Sequence, residues 1–333
     1  MKETCRIYEV SKSKLAVDEF ALDVKSGLSL PRKCLKSKYF YDKIGSALFE
    51  QICVQPEYYI SRVETSILKE RSVDILSICS EDISLIELGS GSAQKTRILF
   101  ECILQRQNTL HYFPIDVSHS ILLESIKSLS LDYQNLCITG IYSDYANGIN
   151  KVTDVITGEH HIASRKLILF LGSSIGNFEP KEAISFFQIL RDKMERKDLL
   201  LVGFDLQKKP AILNSAYNDK AGVTAKFNLN LLSRINRDLE GDFDIKSFDH
   251  HAFYNSNQRR VEMHLVSKRD QEAHIKLIGE SFEFQEGEPI HTENSYKYSL
   301  KQIRKIADDS GFEVKKNFLD QRKWFDLALL SPT

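Results

Sequence analysis

The sequence predicts an α/β protein built on a doubly wound parallel sheet, and three observations carry that expectation. Short apolar runs rich in Leu, Ile and Val on both alternations recur through the first two-thirds of the chain, as strands covered on both faces require. Segments of helical pattern separate these runs, the alternation expected of βαβ units. The run SLIEL at 84–88 ends in an acid and leads straight into GSGSAQKT. Glycines in such a turn let backbone approach a ligand where a side chain would collide.

In chain order, SLIEL (84–88), HYFPID (111–116), NLCITGIYSD (135–144), KLILFLG (166–172) and DLLLVGFD (198–205) read as strands. Segments 94–106, 118–130 and 180–194 read as helices, the last with Pro180 in its first turn, where proline is favoured. After Asp205 the rhythm changes. Two helices are expected over 208–240, followed by antiparallel strands in FDHHAFYNSNQRRVEMHLVSK and EAHIKLIGESFEFQEGEPIHT, whose turns are rich in Asn and Gly. A helix over 299–311 stops at Gly311, and FEVKKNFLD and WFDLALLS close the chain as strands. The sheet is thus interrupted by an insertion and then completed. The expected division is 64–207 with 298–333 for the sheet domain, and 1–63 with 208–297 for a second domain. Residues 1–63 carry five closely spaced aromatics, Tyr39, Phe40, Tyr41, Tyr58 and Tyr59.

Composition excludes several function classes. The 333 residues carry 45 Lys+Arg against 46 Asp+Glu, a net charge of -1, so no global field recruits nucleic acid or an anionic membrane. No apolar run approaches the ~20 residues of a membrane span. Charges throughout MKETCRIYEVSKSKLAVDEF leave no apolar core for a secretory signal. The six cysteines (Cys5, Cys34, Cys53, Cys79, Cys102, Cys137) show no CxxC spacing, which fits reduced thiols in a cytoplasmic protein; a monomer is expected. His160-His161 and His250-His251 are adjacent pairs. Neighbours on a strand face opposite ways, so neither pair readily chelates one metal. No metal is expected.

The glycine turn narrows the ligand. A dinucleotide fingerprint needs a third glycine where Gln94 stands, which disfavours a nicotinamide oxidoreductase. Glu87 and Asp116, at or near strand ends, suit ribose hydroxyls, and Asp144 followed by Tyr145 suits an adenine edge and ring. This acid–Gly–x–Gly turn, with its Asp on the second strand and an acid–aromatic pair after the third, resembles the S-adenosylmethionine site of class I methyltransferases.

Further stretches make the resemblance specific. KYFYDKIGSALFEQICVQPEYYISRVETSIL, ELGSGSAQKT, FLGSSIGNFEP, AYNDKAGVTAKFNLNLLSRINRDL, VEMHLVSK, EGEPIHTENSYKY and WFDLALL follow the order found in the histidine-specific methyltransferase family, over about residues 30–330. The resemblance implies a class I (Rossmann-like) sheet with a second α+β substrate domain formed by the N-terminal segment and the insertion. It implies transfer of three methyl groups from S-adenosylmethionine, without metal, to the α-amine of L-histidine, giving hercynine at the start of ergothioneine biosynthesis.

Matched position by position, it further implies that Asn177 and Tyr217 hold the substrate carboxylate, and that Glu293 and Ser295 read the two imidazole nitrogens. Met263 contacts the ring, Tyr41 lies near the amine, Tyr58 near the imidazole, and Gly172 offers its carbonyl to the amine. Tyr41 and Asn177 are the candidate catalytic residues. Gly89, Lys95, Asp116, Asp144 and Tyr145 match the donor positions. Read alone, Asn177 would be a turn residue, Lys95 a solvated helix residue, and Met263 and the tyrosines core. The chain departs from the family in GSGSAQKT, where Thr and Glu are frequent, in GFDL for GTDL, and in a variable place at Asn294; the first two bear on donor affinity. Rival readings are an Nα-methyltransferase of another amino acid, such as a tryptophan derivative, and a module that holds S-adenosylmethionine without catalysis.

Overall fold

The structure, a computed structural model, describes residues 5–10, 13–79, 81–158 and 165–333, without the side chains of 13–16. It divides into two compact units: Met1–Val10, Ile60–Gln207 and Lys297–Thr333 form one, Ser11–Tyr59 and Lys208–Tyr296 the other. In chain order the strands begin with β1 (Cys5–Glu9), β2 (Ile83–Leu88), β3 (Leu110–Asp116), β4 (Leu136–Tyr142), β5 (Arg165–Phe170) and β6 (Leu199–Asp205). There follow β7 (Phe248–Asn255), β8 (Arg260–Ser267), β9 (Gln271–Ile275), β10 (Glu280–Phe284), β11 (Pro289–Tyr296), β12 (Phe312–Leu319) and β13 (Phe325–Pro332). The helices are α1 (Ser13–Leu28), α2 (Lys43–Cys53), α3 (Tyr59–Leu76), α4 (Arg97–Leu104) and α5 (His119–Asp132). They continue with α6 (Tyr145–Gly158), α7 (Pro180–Asp192), α8 (Pro210–Ala216), α9 (Val223–Leu239) and α10 (Leu300–Asp309). None of the described helices is long and apolar enough to cross a membrane.

In the first unit eight strands lie in the order β1-β4-β3-β2-β5-β6-β13-β12. From β1 to β6 the neighbours pair parallel, and β13 runs antiparallel to both β6 and β12. Leaving β1 aside, this is the seven-strand order of a class I methyltransferase. The expectation that residues 1–63 all belong with the insertion fails for β1, which joins β4 at the sheet edge. Its sequence, CRIYE, is short and buries only Cys5 fully, so it carries little of the apolar signal by which the inner strands are recognised. β2, β6 and β13 are buried at every position, which explains their continuous apolar runs. The order in which strands are added to the sheet reverses between β2 and β5, and ligands of open α/β sheets bind outside the strand ends at such a point.

The second unit contains the antiparallel sheet β11-β8-β7, the hairpin β9–β10 and the helices that cover them. Helix α9 packs against β7, β8 and α2, burying Phe227, Leu231, Leu232 and Ile235. The two helices expected over 208–240 are α8 and α9.

One buried acid makes stability pH-dependent. Asp326 on β13 is 0% exposed, and burial pushes its carboxyl up to about 7 against the Asn317 amide, which donates to it at 2.5 Å. In the unfolded chain the carboxyl titrates near about 4. Below that pH it is protonated in both states; between there and 7 only the unfolded chain ionises, so stability falls as pH rises, and above 7 the loss is complete. Asp326→Asn is expected to raise Tm over the parent clearly at pH 8 and much less at pH 5. Thermal unfolding followed by circular dichroism checks this, and a gain independent of pH would contradict it.

Candidate active site

In the first unit the glycine turn is held from below by carboxylates. Gly89 (φ 71°), Gly91 (φ 50°) and Ala93 (φ 54°) all adopt left-handed backbone, which glycine enters without penalty. Asp116, at the end of β3, accepts the Gly91 amide and the Ser118 amide, each at 2.8 Å. Burial raises its carboxyl while these amides hold it down. Glu87 does not stand open to a ribose, as its position before the turn suggested. Thr96 Oγ1 donates to one of its oxygens at 2.6 Å and the Tyr112 hydroxyl to the other at 2.5 Å. Burial pushes it up to about 7, with those two hydroxyls opposing.

Asp144 and Tyr145 also have roles within the protein. Asp144 caps α6, accepting the Asn147 amide at 2.9 Å and the Asn147 side chain at 2.8 Å. Tyr145 packs edge-on to Phe170 at 5.3 Å and tilted against Phe186 at 5.8 Å. A Cβ on Gly89 would lie 3.0 Å from its hydroxyl oxygen, so Tyr145 bounds one side of the glycine turn. Burial raises its phenol above the ordinary range.

The loop after β5 carries Gly172 (φ 74°), Ser173 (φ 58°) and a 3₁₀ turn, Ser174–Asn177, ending at the half-buried Asn177. Three hydrogen-bonding partners brace it, one acceptor and two donors. Its Gly172 amide is held by both oxygens of Glu64, at 2.8 and 3.0 Å. The Asp205 amide donates to Ser173 Oγ at 3.0 Å, and the Tyr298 hydroxyl to the Ile175 carbonyl at 3.1 Å. Lys95 ion-pairs with the same Glu64. Asp205 itself pairs with the fully buried Lys297 at 2.8 Å.

In the second unit Tyr41, Tyr58, Tyr217, Met263, Glu293 and Ser295 converge. Glu293 pairs directly across from Met263, and Ser295 across from Val261. Residues two apart share a face of a strand, so the acid, the hydroxyl and the thioether present one surface. The Tyr217 hydroxyl donates to Ser295 Oγ at 2.7 Å, and Tyr58 lies edge-on to Tyr217 at 6.3 Å. Phe49 stands 5.6 Å from Tyr41 and 6.3 Å from Tyr58 between ring centroids. Burial pushes the Tyr58 phenol well up, with Tyr217, Cys53, Tyr41 and Glu293 adding to the rise.

Three residues missed in the sequence support the arrangements within the two units, Asn228 and His250 in the second and Glu64 in the first. Asn228, fully buried on α9, accepts from Thr292 Oγ1 at 2.8 Å and contacts His250 Nδ1 at 2.9 Å. The other ring nitrogen of His250 lies 2.9 Å from the Tyr217 carbonyl, and burial lowers its basicity. Glu64 is the third. An Asn in the apolar stripe of FNLNLL was the available signal for Asn228; Glu64 and His250 had none. His251 lies beside Phe253 instead, and His160-His161 falls outside the described residues. Among the described residues no three His, Cys, Asp or Glu side chains form a metal-binding group.

Residues 20–332 match the model of the family described as histidine-specific, SAM-dependent methyltransferase. The chain is 35% identical over 314 residues to histidine N-alpha-methyltransferase of Mycolicibacterium smegmatis, covering 94% of this chain and 95% of that protein. It is 37% identical over 307 residues to the Mycobacterium tuberculosis protein of the same name, covering 92% and 93%. Ergothioneine biosynthesis protein 1 of Schizosaccharomyces pombe is 29% identical over 298 residues, covering 87% of this chain and 38% of that protein. The matched span takes in the glycine turn, the loop after β5 and the β8–β11 face alike, and the chain belongs to the histidine-specific, S-adenosylmethionine-dependent methyltransferase family.

Proposed function

We propose that this enzyme methylates the α-amine of L-histidine three times to give hercynine (Nα,Nα,Nα-trimethyl-L-histidine), the first step of ergothioneine biosynthesis. The register of β11 on β8 carries the reading. It sets the Glu293 carboxylate and the Ser295 hydroxyl side by side, each less than a tenth exposed, beside the buried Met263. A neutral imidazole has one N–H to give and one nitrogen to accept, and an acid beside a hydroxyl satisfies both. An indole offers a single N–H and needs more room, so the tryptophan alternative fits this pair less well. No disulfide joins the six cysteines, in keeping with a cytoplasmic enzyme.

The residues of the glycine turn fit the methyl donor. Left-handed backbone at Gly89 and Gly91 and the buried Asp116 below them form the kind of cradle that admits an adenosyl group. Asp116 and Gly89 would take its ribose and backbone-contacting portion, Asp144 and Tyr145 the adenine, and Lys95 a polar group. S-adenosylmethionine supplies a methyl group on a positively charged sulfur, open to displacement by an amine lone pair. The chain's own contribution is chiefly placement, which can account for most of the acceleration of such a displacement. Asn177 and Tyr217 would hold the carboxylate. The Gly172 carbonyl and Tyr41 would orient the amine, with Tyr41 conducting the proton the ammonium gives up. Tyr58, kept protonated by burial, would serve the imidazole as a neutral neighbour.

Mass spectrometry of histidine and tryptophan incubated with enzyme and donor tests the reading. Histidine gaining three methyl groups, all on the α-nitrogen by NMR, is expected; a ring-methylated product would overturn it. At the donor side, Asp116→Asn can accept only one of the two amides that the carboxylate now holds, and it turns an NH₂ toward the other. Donor affinity by calorimetry should fall by ~1.5–3 kcal/mol, and an unchanged value would remove Asp116 from the site. At the ring side, Glu293→Ala with Met263→Val should lower kcat/KM for histidine by about 10- to 100-fold, the cost of leaving a polar partner unmet. Relative activity on tryptophan should rise and donor affinity stay near that of the parent. A fixed ratio between the two substrates would show that Glu293 does not read the imidazole.

A further inference from the structure

Glu64 lies on α3 and is fully buried, yet none of the roles above uses it. An ionised carboxylate removed from water is costly unless donors surround it, and here they come from two loops. The Gly172 amide, after β5, is shared by its two oxygens at 2.8 and 3.0 Å. The Lys95 ammonium, from the glycine turn after β2, pairs with it. Gly203 on β6 makes the room, since a Cβ there would collide with Glu64 Oε1. A Cβ on Gly172 would in turn stand 3.7 Å from Lys95 Nζ, so ammonium and loop are neighbours. One carboxylate thus ties together the two loops that flank the reversal of the sheet.

We propose that Glu64 is a positioning residue of the methyl-donor site: it fixes the Lys95 ammonium against the Gly172 turn and cancels its charge. This rests on the reading that places Lys95 at the donor. The chemistry of the donor gives the cancellation a consequence. S-adenosylmethionine carries a positive sulfur, whereas its product S-adenosylhomocysteine, having lost the methyl group, carries a neutral thioether. An ammonium without its counter-charge repels the first and is indifferent to the second at that atom. Glu64 therefore favours donor over spent product, which matters to an enzyme that must exchange the two three times for each acceptor molecule.

The test is calorimetry on the full chain with S-adenosylmethionine and S-adenosylhomocysteine, for the parent, E64Q, K95M and the double variant. Glu64→Gln keeps an oxygen for the Gly172 amide and loses the charge. It should reduce the preference for S-adenosylmethionine over S-adenosylhomocysteine by about three- to tenfold, from a cation left uncompensated at short range. Lys95→Met leaves a buried carboxylate without its cation; it should lower Tm and shift the preference the opposite way. In the double variant, charge balance returns, and the preference should lie within about twofold of the parent, since replacing both members of a buried pair costs less than removing one. Should E64Q fail to fold, K95M against the double variant makes the same comparison. Equal weakening of both ligands in E64Q would reduce Glu64 to a brace for the fold and overturn the proposal. If K95M changes neither affinity, Lys95 does not face the donor, and that reading falls whatever Glu64 does.

Discussion

Carboxylates taken out of water at the carboxyl ends of the parallel strands are the constraint on which the first unit depends. Glu87 stands one residue before the end of β2, Asp116 ends β3 and Asp205 ends β6, while Glu64 enters from α3. All four are less than a tenth exposed. An acid so placed destabilises the fold by several kcal/mol unless donors meet it, and the glycine turn after β2 supplies a donor to three of the four. Thr96 and Tyr112 reach Glu87, the Gly91 and Ser118 amides reach Asp116, Lys297 reaches Asp205, and Lys95 and Gly172 reach Glu64. The loops that would hold the ligand are therefore fixed by the electrostatic requirements of the strands beneath them.

The second unit obtains its geometry from register. Ile290 faces Leu265 and Glu293 faces Met263, so two residues three apart on β11 oppose residues two apart on β8. The irregularity falls between His291 and Glu293, where Thr292 is the extra residue, and such a bulge re-aims the side chains that follow. With strict alternation Glu293 would turn to the opposite face from Ile290. Thr292 is itself held, its hydroxyl donating to Asn228 at 2.8 Å and to the Met263 carbonyl at 3.1 Å. The acid thus joins the apolar side of the strand because a neighbour's hydroxyl has a buried partner on α9.

What was legible in the sequence follows from the range of the signals. The inner strands were placed to within a residue or two because continuous apolar runs are local. Helix α3 lies outside the helices expected from the sequence, although Ile60, Ile67, Leu68 and Ile75 are spaced along one face and buried. Helix α6, with Ile149, Val152 and Val155 buried, lies outside them too, and only the Asp144-Tyr145 pair at its start stands out in the sequence. Of the positions carried by family resemblance, Tyr41, Tyr58, Tyr217, Met263, Glu293 and Ser295 lie in the second unit and the donor positions in the first; their supports are invisible in the sequence because they are remote. Glu64 and Lys95 are 31 residues apart, His250 and Tyr217 33, Asn228 and Thr292 64. The closed surroundings of Glu87 are invisible in the sequence for the same reason: its hydroxyl partner Tyr112 lies 25 residues on.

The end of β6 shows how a departure from the family can be absorbed. Gly203 and Asp205 share one face of the strand and Phe204 takes the other. Gly203 must lack a side chain because Glu64 occupies its space, and Asp205 must be an acid because Lys297, wholly buried, has its charge met there at 2.8 Å. Phe204, where the family resemblance leads one to expect a threonine, answers to neither demand. Its ring is fully buried and lies edge-on to Tyr298 at 5.1 Å, a contact that a threonine could not make. Tyr298 passes this on by donating to the Ile175 carbonyl, two residues before Asn177. Phe204 therefore bears on the brace of the Asn177 loop from the face of the strand away from Glu64, and Gly203 and Asp205 keep their own partners on the other.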